Sequence, residues 1–165
     1  MATTKLAGNR VQLAGEFPGK QNSVKNFIAV KQDLSEFSLE DFSGKRKVLN
    51  IFPSIDTDVC ATSVRTFNKK ASELENTLVI CLSFDLPFAL KRFCGAEGIE
   101  NVLTGSLFRN LDFAKDYGLL IEDGPLMGLT ARAVIVLDEN NIVLHSELVD
   151  DITHEPDYQA ALSAL

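Results

Sequence analysis

The segment Pro53-Ser-Ile-Asp-Thr57-Asp-Val-Cys60 holds residues whose types and spacing suit the making of a thiolate: a proline, a hydroxyl three residues before a thiol, and the thiol itself. Val48-Leu-Asn-Ile-Phe52 before it is a short apolar run that reads as a buried strand. After it, apolar positions at Cys60, Val64, Phe67, Ala71 and Leu74 mark one face of a helix. Cys60 therefore falls in a first helical turn, where unpaired backbone N–H groups and the positive end of the helix dipole favour an anionic sulfur. Pro53 cannot donate to a sheet ladder and ends the strand. Thr57 has two roles open to it, donating its hydroxyl hydrogen to the sulfur or capping the helix. Against this stands the ordinary use of a cysteine on an apolar helix face, as a small inert hydrophobe.

Two further residues carry potential chemistry. Cys94 ends the run Ser83-Phe-Asp-Leu-Pro87-Phe-Ala-Leu-Lys-Arg-Phe93-Cys94, in which Pro87 suits the start of a helix and Gly95 its end. On its own it is equally well a buried cysteine packed by Phe88 and Phe93. Arg132 opens a very apolar strand, and a guanidinium there must find an anion. A carboxylate and the Cys60 sulfur are both candidates. Cys81 lies mid-strand between Ile80 and Leu82 and reads as core.

The elements that must position these groups follow from the pattern. Strands are expected at 48–52, 78–83, 132–137 and 142–145, the last two joined by the turn Asp138-Glu-Asn-Asn141. Helices are expected near 58–74, 87–95 closed by Gly95, 108–116, and from Pro156 to Leu162. The continuous apolar character of the strands at 48–52 and 78–83 suits parallel pairing through a helical crossover. In the first third, Val11-Gln-Leu-Ala and Asn26-Phe-Ile-Ala-Val flank Gly15, Pro18 and Gly19, which suggests a β-hairpin or two short strands. Gly15-Glu-Phe-Pro-Gly19-Lys20 lacks the spacing and the Ser or Thr of a phosphate loop.

Composition narrows the class. At 165 residues, 45% hydrophobic and 24% charged, the chain is expected to be a single globular domain over 1–165. A net charge of −7 and a pI near 4.8 disfavour nucleic acid as a partner. No apolar run approaches the roughly 20 residues of a membrane span, and no secretory leader is evident, so a cytoplasmic location is expected. Three cysteines without a C-x-x-C, and two distant histidines, His145 and His154, give no metal-ligand spacing.

Pro-x-x-x-Thr-x-x-Cys, here Pro53, Thr57 and Cys60, resembles the active-site pattern of the peroxiredoxins, and Phe-Pro-Ser-Ile-Asp-Thr-x-Val-Cys is similar to their thiol peroxidase branch, the atypical two-cysteine type. Ser83-Phe-Asp-Leu-Pro87-Phe-Ala-Leu-Lys-Arg-Phe93-Cys94 and Gly128-Leu-Thr-Ala-Arg132-Ala resemble two further segments of that branch. The resemblance implies a thioredoxin-like α/β fold, a central mixed β-sheet flanked by helices, with an N-terminal β-hairpin extension. It implies that Cys60 attacks hydrogen peroxide or an alkyl or lipid hydroperoxide, giving a sulfenic acid, and that Arg132 is the catalytic arginine. Cys94 then resolves the sulfenic acid as an intrachain disulfide. Thioredoxin is the implied reductant, a homodimer the implied assembly, and no metal, flavin or haem is required. Asp58, where glycine is frequent, and Phe84, where a small residue is usual, depart from the pattern. A monothiol disulfide oxidoreductase is the alternative on the same fold, with Cys60-Ala-Thr-Ser63 in the place of a C-x-x-C. A non-catalytic domain would leave Thr57, Cys60, Cys94 and Arg132 together by coincidence.

Overall fold

The computed structural model describes residues 2–165. Its strands and helices run β1 (Thr3–Leu6), β2 (Asn9–Ala14), β3 (Ile28–Val30), β4 (Glu36–Ser38), β5 (Arg46–Ile51), α1 (Asp58–Ala71), β6 (Thr77–Ser83), α2 (Pro87–Glu97), β7 (Leu103–Ser106), α3 (Phe113–Asp116), β8 (Leu120–Ile121), β9 (Ala133–Leu137), β10 (Val143–Leu148) and α4 (Tyr158–Ser163). Seven strands form one mixed sheet in the order β10-β9-β5-β6-β7-β3-β4. The centre, β5-β6-β7, is parallel, as continuous apolar strands joined by helices require. β9 joins β5 antiparallel, and the β9–β10 hairpin forms at Asp138–Asn141.

Side chains alternate across this sheet and sort into two cores. Val48, Val79, Cys81, Val134 and Val136 meet α1, α2 and α4 on one face, and Cys60 and Cys94 belong to this cluster. Leu49, Ile51, Ile80, Leu82, Ile135 and Leu137 point the other way, toward Val11, Leu13, Phe113 and Tyr117. The second face is closed by the small sheet β1-β2-β8 and by α3.

Several boundaries differ from the sequence reading. The N-terminal hairpin is made by β1 and β2 through Ala7 and Gly8, while Ile28–Val30 joins the large sheet beside β4 and β7, so Val11–Ala14 and the 26–30 segment are not partners. α1 stops at Ala71, and Glu73 and Leu74 continue with tighter bonds to the carbonyls of Lys70 and Ala71. Near 108–116 only Phe113–Asp116 is helical, because the Asn110 side chain donates instead to the Ile28 carbonyl and the chain turns there. Pro156 lies just outside α4, whose cap is Asp157, its carboxylate accepting from Ala160 N.

The most consequential correction concerns Gly95. It lies inside α2, and the helix ends at Gly98, whose φ of 65° is the left-handed cap that glycine adopts without strain. A Cβ on Gly95 meets open space. Replacing Gly95 by Ala is therefore expected to raise stability by roughly 0.5–1 kcal/mol, and replacing Gly98 by Ala to lower it by about 1–2 kcal/mol. Urea unfolding of the two reduced variants checks the opposite signs.

Candidate active site

β5 delivers the chain to Phe52 and the buried Pro53, and the turn that follows is fixed by one carboxylate. Asp85, just after β6, accepts hydrogen bonds from Ser54 Oγ at 2.8 Å, Ile55 N at 2.7 Å and Ser83 Oγ at 2.6 Å. Its own carbonyl accepts from Ser106 Oγ on β7. Ends of three parallel strands are thereby tied to the strand-to-helix turn. Phe52 O accepts from Thr130 Oγ1 at 3.0 Å, which fixes the approach to β9 in the same way.

Thr57 caps α1 by position only. Its hydroxyl donates to Ser54 O at 3.0 Å, so it neither bonds the Cys60 sulfur nor caps the helix with its side chain, and both sequence-derived roles are corrected. With its hydrogen committed to that carbonyl, the Thr57 oxygen is left to accept a hydrogen bond.

Cys60 is fully buried in the first turn of α1. Arg132, 1% exposed, sends Nη2 to the Cys60 sulfur at 3.2 Å and donates Nε to Ile152 O at 2.9 Å. Among the described residues Arg132 forms no ion pair with a carboxylate. Of the two partners open to it, the sulfur is the one it meets. The third nitrogen, Nη1, is buried with no partner among the described residues, and a buried donor left unbonded is costly. Arg132 lines a mostly apolar cavity of about 250 Å³, bounded also by Pro53, Thr57, Val59, Leu126 and Ile152 among others. Asp58 reaches the same cavity from an exposed position, whereas Phe84 packs into the core on the other face and does not touch it.

Beneath Cys60, Ser63 donates to the Cys60 carbonyl at 2.7 Å and accepts from Asn50 Nδ2 at 3.1 Å, all fully buried. Ser63, which stands where a C-x-x-C would have its second cysteine, is thus tied to the backbone of the helix. Cys94 is buried on the sheet side of α2, and burial pushes its thiol up, while Gln32 bonds to it and opposes the shift. Gln32 in turn donates to Thr104 of β7 at 2.9 Å. Cys81 is completely enclosed, and burial pushes its thiol up to about 12, which keeps it neutral and inert as the sequence reading had it. All three cysteines are free.

Asp85, Asn50 and Thr130 were given no role in the sequence reading, and Ser63 only the place of a second cysteine. Asp85 and Thr130 had a signal, since they lie within the runs that carry Cys94 and Arg132. Asn50 interrupts an otherwise apolar strand, a mark visible only once the strand is known to be buried on both sides.

The Redoxin family matches residues 18–162. A thiol peroxidase of Corynebacterium glutamicum is 55% identical over 165 residues, spanning all of this chain and 99% of that protein. Among solved structures, a peroxiredoxin-like protein from Aquifex aeolicus superposes with a TM-score of 0.93 at 36% identity, covering 99% of this chain and 96% of that one. A thiol peroxidase from Chromobacterium violaceum superposes with a TM-score of 0.90 at 27% identity, covering 98% and 93%. The mixed sheet with helices on its Cys60 face is the thioredoxin-like fold of these proteins, and a buried thiol against a buried arginine suits their chemistry. This chain belongs to the redoxin family, in the thiol peroxidase branch of the peroxiredoxins, and is a thiol-dependent peroxidase.

Proposed function

We propose that Cys60 is the peroxidatic nucleophile, Arg132 the group that steers peroxide to it, and Cys94 the resolving thiol. The observation that carries this is the 3.2 Å contact between Arg132 Nη2 and the Cys60 sulfur, in an arginine that lines the cavity and whose Nη1 has no partner among the described residues. A hydroperoxide entering there has its proximal oxygens met by Nη1 and its hydrogen accepted by Thr57. Pro53 shields the site from water with its buried ring. The thiolate of Cys60 attacks the terminal oxygen, forming an S–O bond as the O–O bond breaks. The sulfur is oxidised to a sulfenic acid, and the departing alkoxide or hydroxide takes up a proton to leave as alcohol or water.

Cys94 then attacks the sulfenic sulfur, forming an S–S bond and releasing water. Cys60 sits in the first turn of α1 against Arg132, and Cys94 in α2 near Cys81 and Gln32. Both are free thiols within one apolar core, and a disulfide needs their Cα atoms within about 7 Å. Cys94 then reaches Cys60 by local unwinding of α2. Unwinding breaks its ion pairs with the Cys60 side, Arg92 to Asp56 and Arg65 to Glu97. An external dithiol, thioredoxin by family, reduces the disulfide by exchange. A homodimeric state, a cytoplasmic location and a preference for alkyl or lipid hydroperoxides beside hydrogen peroxide belong to the same proposal. So does a single domain over 1–165.

Peroxide consumption with and without a thioredoxin system tests the cycle. Cys60→Ser is expected to abolish it, and wild-type turnover in that variant would remove the assignment. Arg132→Ala is expected to slow the single-turnover reaction with peroxide by about 10²–10³. Arg132→Lys should recover only part of that, because an ammonium cannot keep Nε on the Ile152 carbonyl while meeting sulfur and substrate together.

One stoichiometric dose of peroxide should give a monomer-sized product whose peptide map links Cys60 to Cys94 and leaves Cys81 free. Hydrogen exchange should rise across 85–98. Gly95→Ala, by stiffening α2, is expected to slow formation of this disulfide up to about fivefold. A Cys60–Cys81 link or an interchain disulfide would move the resolving role elsewhere.

A further inference from the structure

The residues around the cavity come from parts of the chain with no covalent reason to stay together. Pro53, Thr57 and Val59 arrive with the strand-to-helix turn, Ile152 and Thr153 with the segment after β10, and Leu6 with the last residue of β1. The hairpin tip that follows Leu6 turns over Ala7 and Gly8, with φ of 50° and 85°. Two-residue turns of this kind favour asparagine or glycine at both positions, and an alanine held there costs about 1–2 kcal/mol. Such a conformation persists where its surroundings over-determine it.

Asp151 does so. One of its carboxylate oxygens, Oδ1, accepts from Ala7 N at 3.1 Å and the other, Oδ2, from Gly8 N at 2.8 Å. Oδ1 also accepts from Thr153 N at 2.9 Å and Thr153 Oγ1 at 2.6 Å. These bonds, those from Thr153 first, hold its carboxyl well below the usual carboxylate range. The neighbouring Ile152 gives its carbonyl to Arg132 Nε and its N–H to Lys5 O at 2.8 Å. One buried carboxylate thus fastens the hairpin tip to the segment that orients the arginine.

We propose that Asp151 is a positioning residue for the peroxide step: it holds Leu6 over the cavity and the Ile152 carbonyl under Arg132, making the N-terminal hairpin the wall on which the organic group of a hydroperoxide rests. The proposal rests on the reading of Cys60 as the attacking thiol. Hydrogen peroxide has no organic group and needs the thiolate and the guanidinium alone. An aryl or alkyl hydroperoxide needs the wall as well. Loss of the wall therefore separates the two substrates, whereas a general loosening of the fold slows both together.

Single-turnover rate constants for hydrogen peroxide and cumene hydroperoxide, measured on the reduced full chain and on Asp151→Asn, Asp151→Ala and Leu6→Ser, test this. Asparagine keeps one acceptor oxygen for Ala7 and Thr153 but turns an amide donor against Gly8 N–H, so it frees the hairpin tip selectively. The ratio of the cumene hydroperoxide constant to the hydrogen peroxide constant is expected to fall about tenfold in Asp151→Asn and in Leu6→Ser. In Asp151→Ala both constants should fall, as the support of Arg132 goes too. Should Asp151→Asn not fold, Leu6→Ser decides alone. A ratio equal to that of the wild type in the folded variants overturns the proposal. A wild-type protein no faster than Cys60→Ser on either substrate overturns it together with the nucleophile assignment, and the two failures are told apart by that comparison.

Discussion

The contact between Arg132 and Cys60 is the constraint around which the rest of the molecule is arranged. A guanidinium that is almost fully enclosed must be compensated, because an unpaired buried charge is strongly destabilising. The chain supplies a backbone carbonyl for one nitrogen and a sulfur for another, and leaves the third without a partner among the described residues. Holding that carbonyl in place calls for the 149–153 segment to be fixed, which in turn calls for the N-terminal strand beside it. Holding the sulfur calls for the turn before α1, which Asp85 secures from the neighbouring strand. The charge and the thiol thus draw on both ends of the sequence.

Around this polar centre the molecule uses two kinds of support. Hydroxyls and carboxylates with complete hydrogen bonding fix the strand ends and the first turn of α1, where displacement by even an ångström would misalign the sulfur. Mostly apolar packing holds α2 on the sheet, with Leu90, Phe93 and Cys94 facing inward, Gln32 bonded to Cys94, and exposed ion pairs at its rim. Exposed pairs of that type add little. The Cys60 half of the site is accordingly the more heavily hydrogen-bonded one, and in the proposed cycle the Cys94 half is the one that yields.

The core of this arrangement was legible in the chain. Continuous apolar runs fixed the parallel centre, and the proline, threonine and cysteine marked the turn. What could not be seen has a physical explanation in each case. The pairing partners of Val11–Ala14 were invisible because β1 and β8 are both short, and β1 is held by the 149–153 segment far along the chain. Gly95 and Gly98 offer the same stop signal, and only the backbone angle distinguishes a tolerated glycine from a required one. The donor of Thr57 went to Ser54, a local choice among several equal acceptors. Asp151 looks in the sequence like one more surface acid in a chain rich in them.

The Cys60 and Cys94 thiols share one apolar cluster, and this bears on the electron chemistry of the proposed pair. In the proposed cycle the packing of Leu90, Phe93 and Cys94 exists in the dithiol form and is given up in the disulfide form. Every increment of that packing favours the reduced protein and raises the potential of the couple, by about 30 mV for each 1.4 kcal/mol. Helix packing is thus a redox setting: a better-packed α2 makes a disulfide that is slower to form and easier for an external dithiol to reduce, and a looser one makes the reverse.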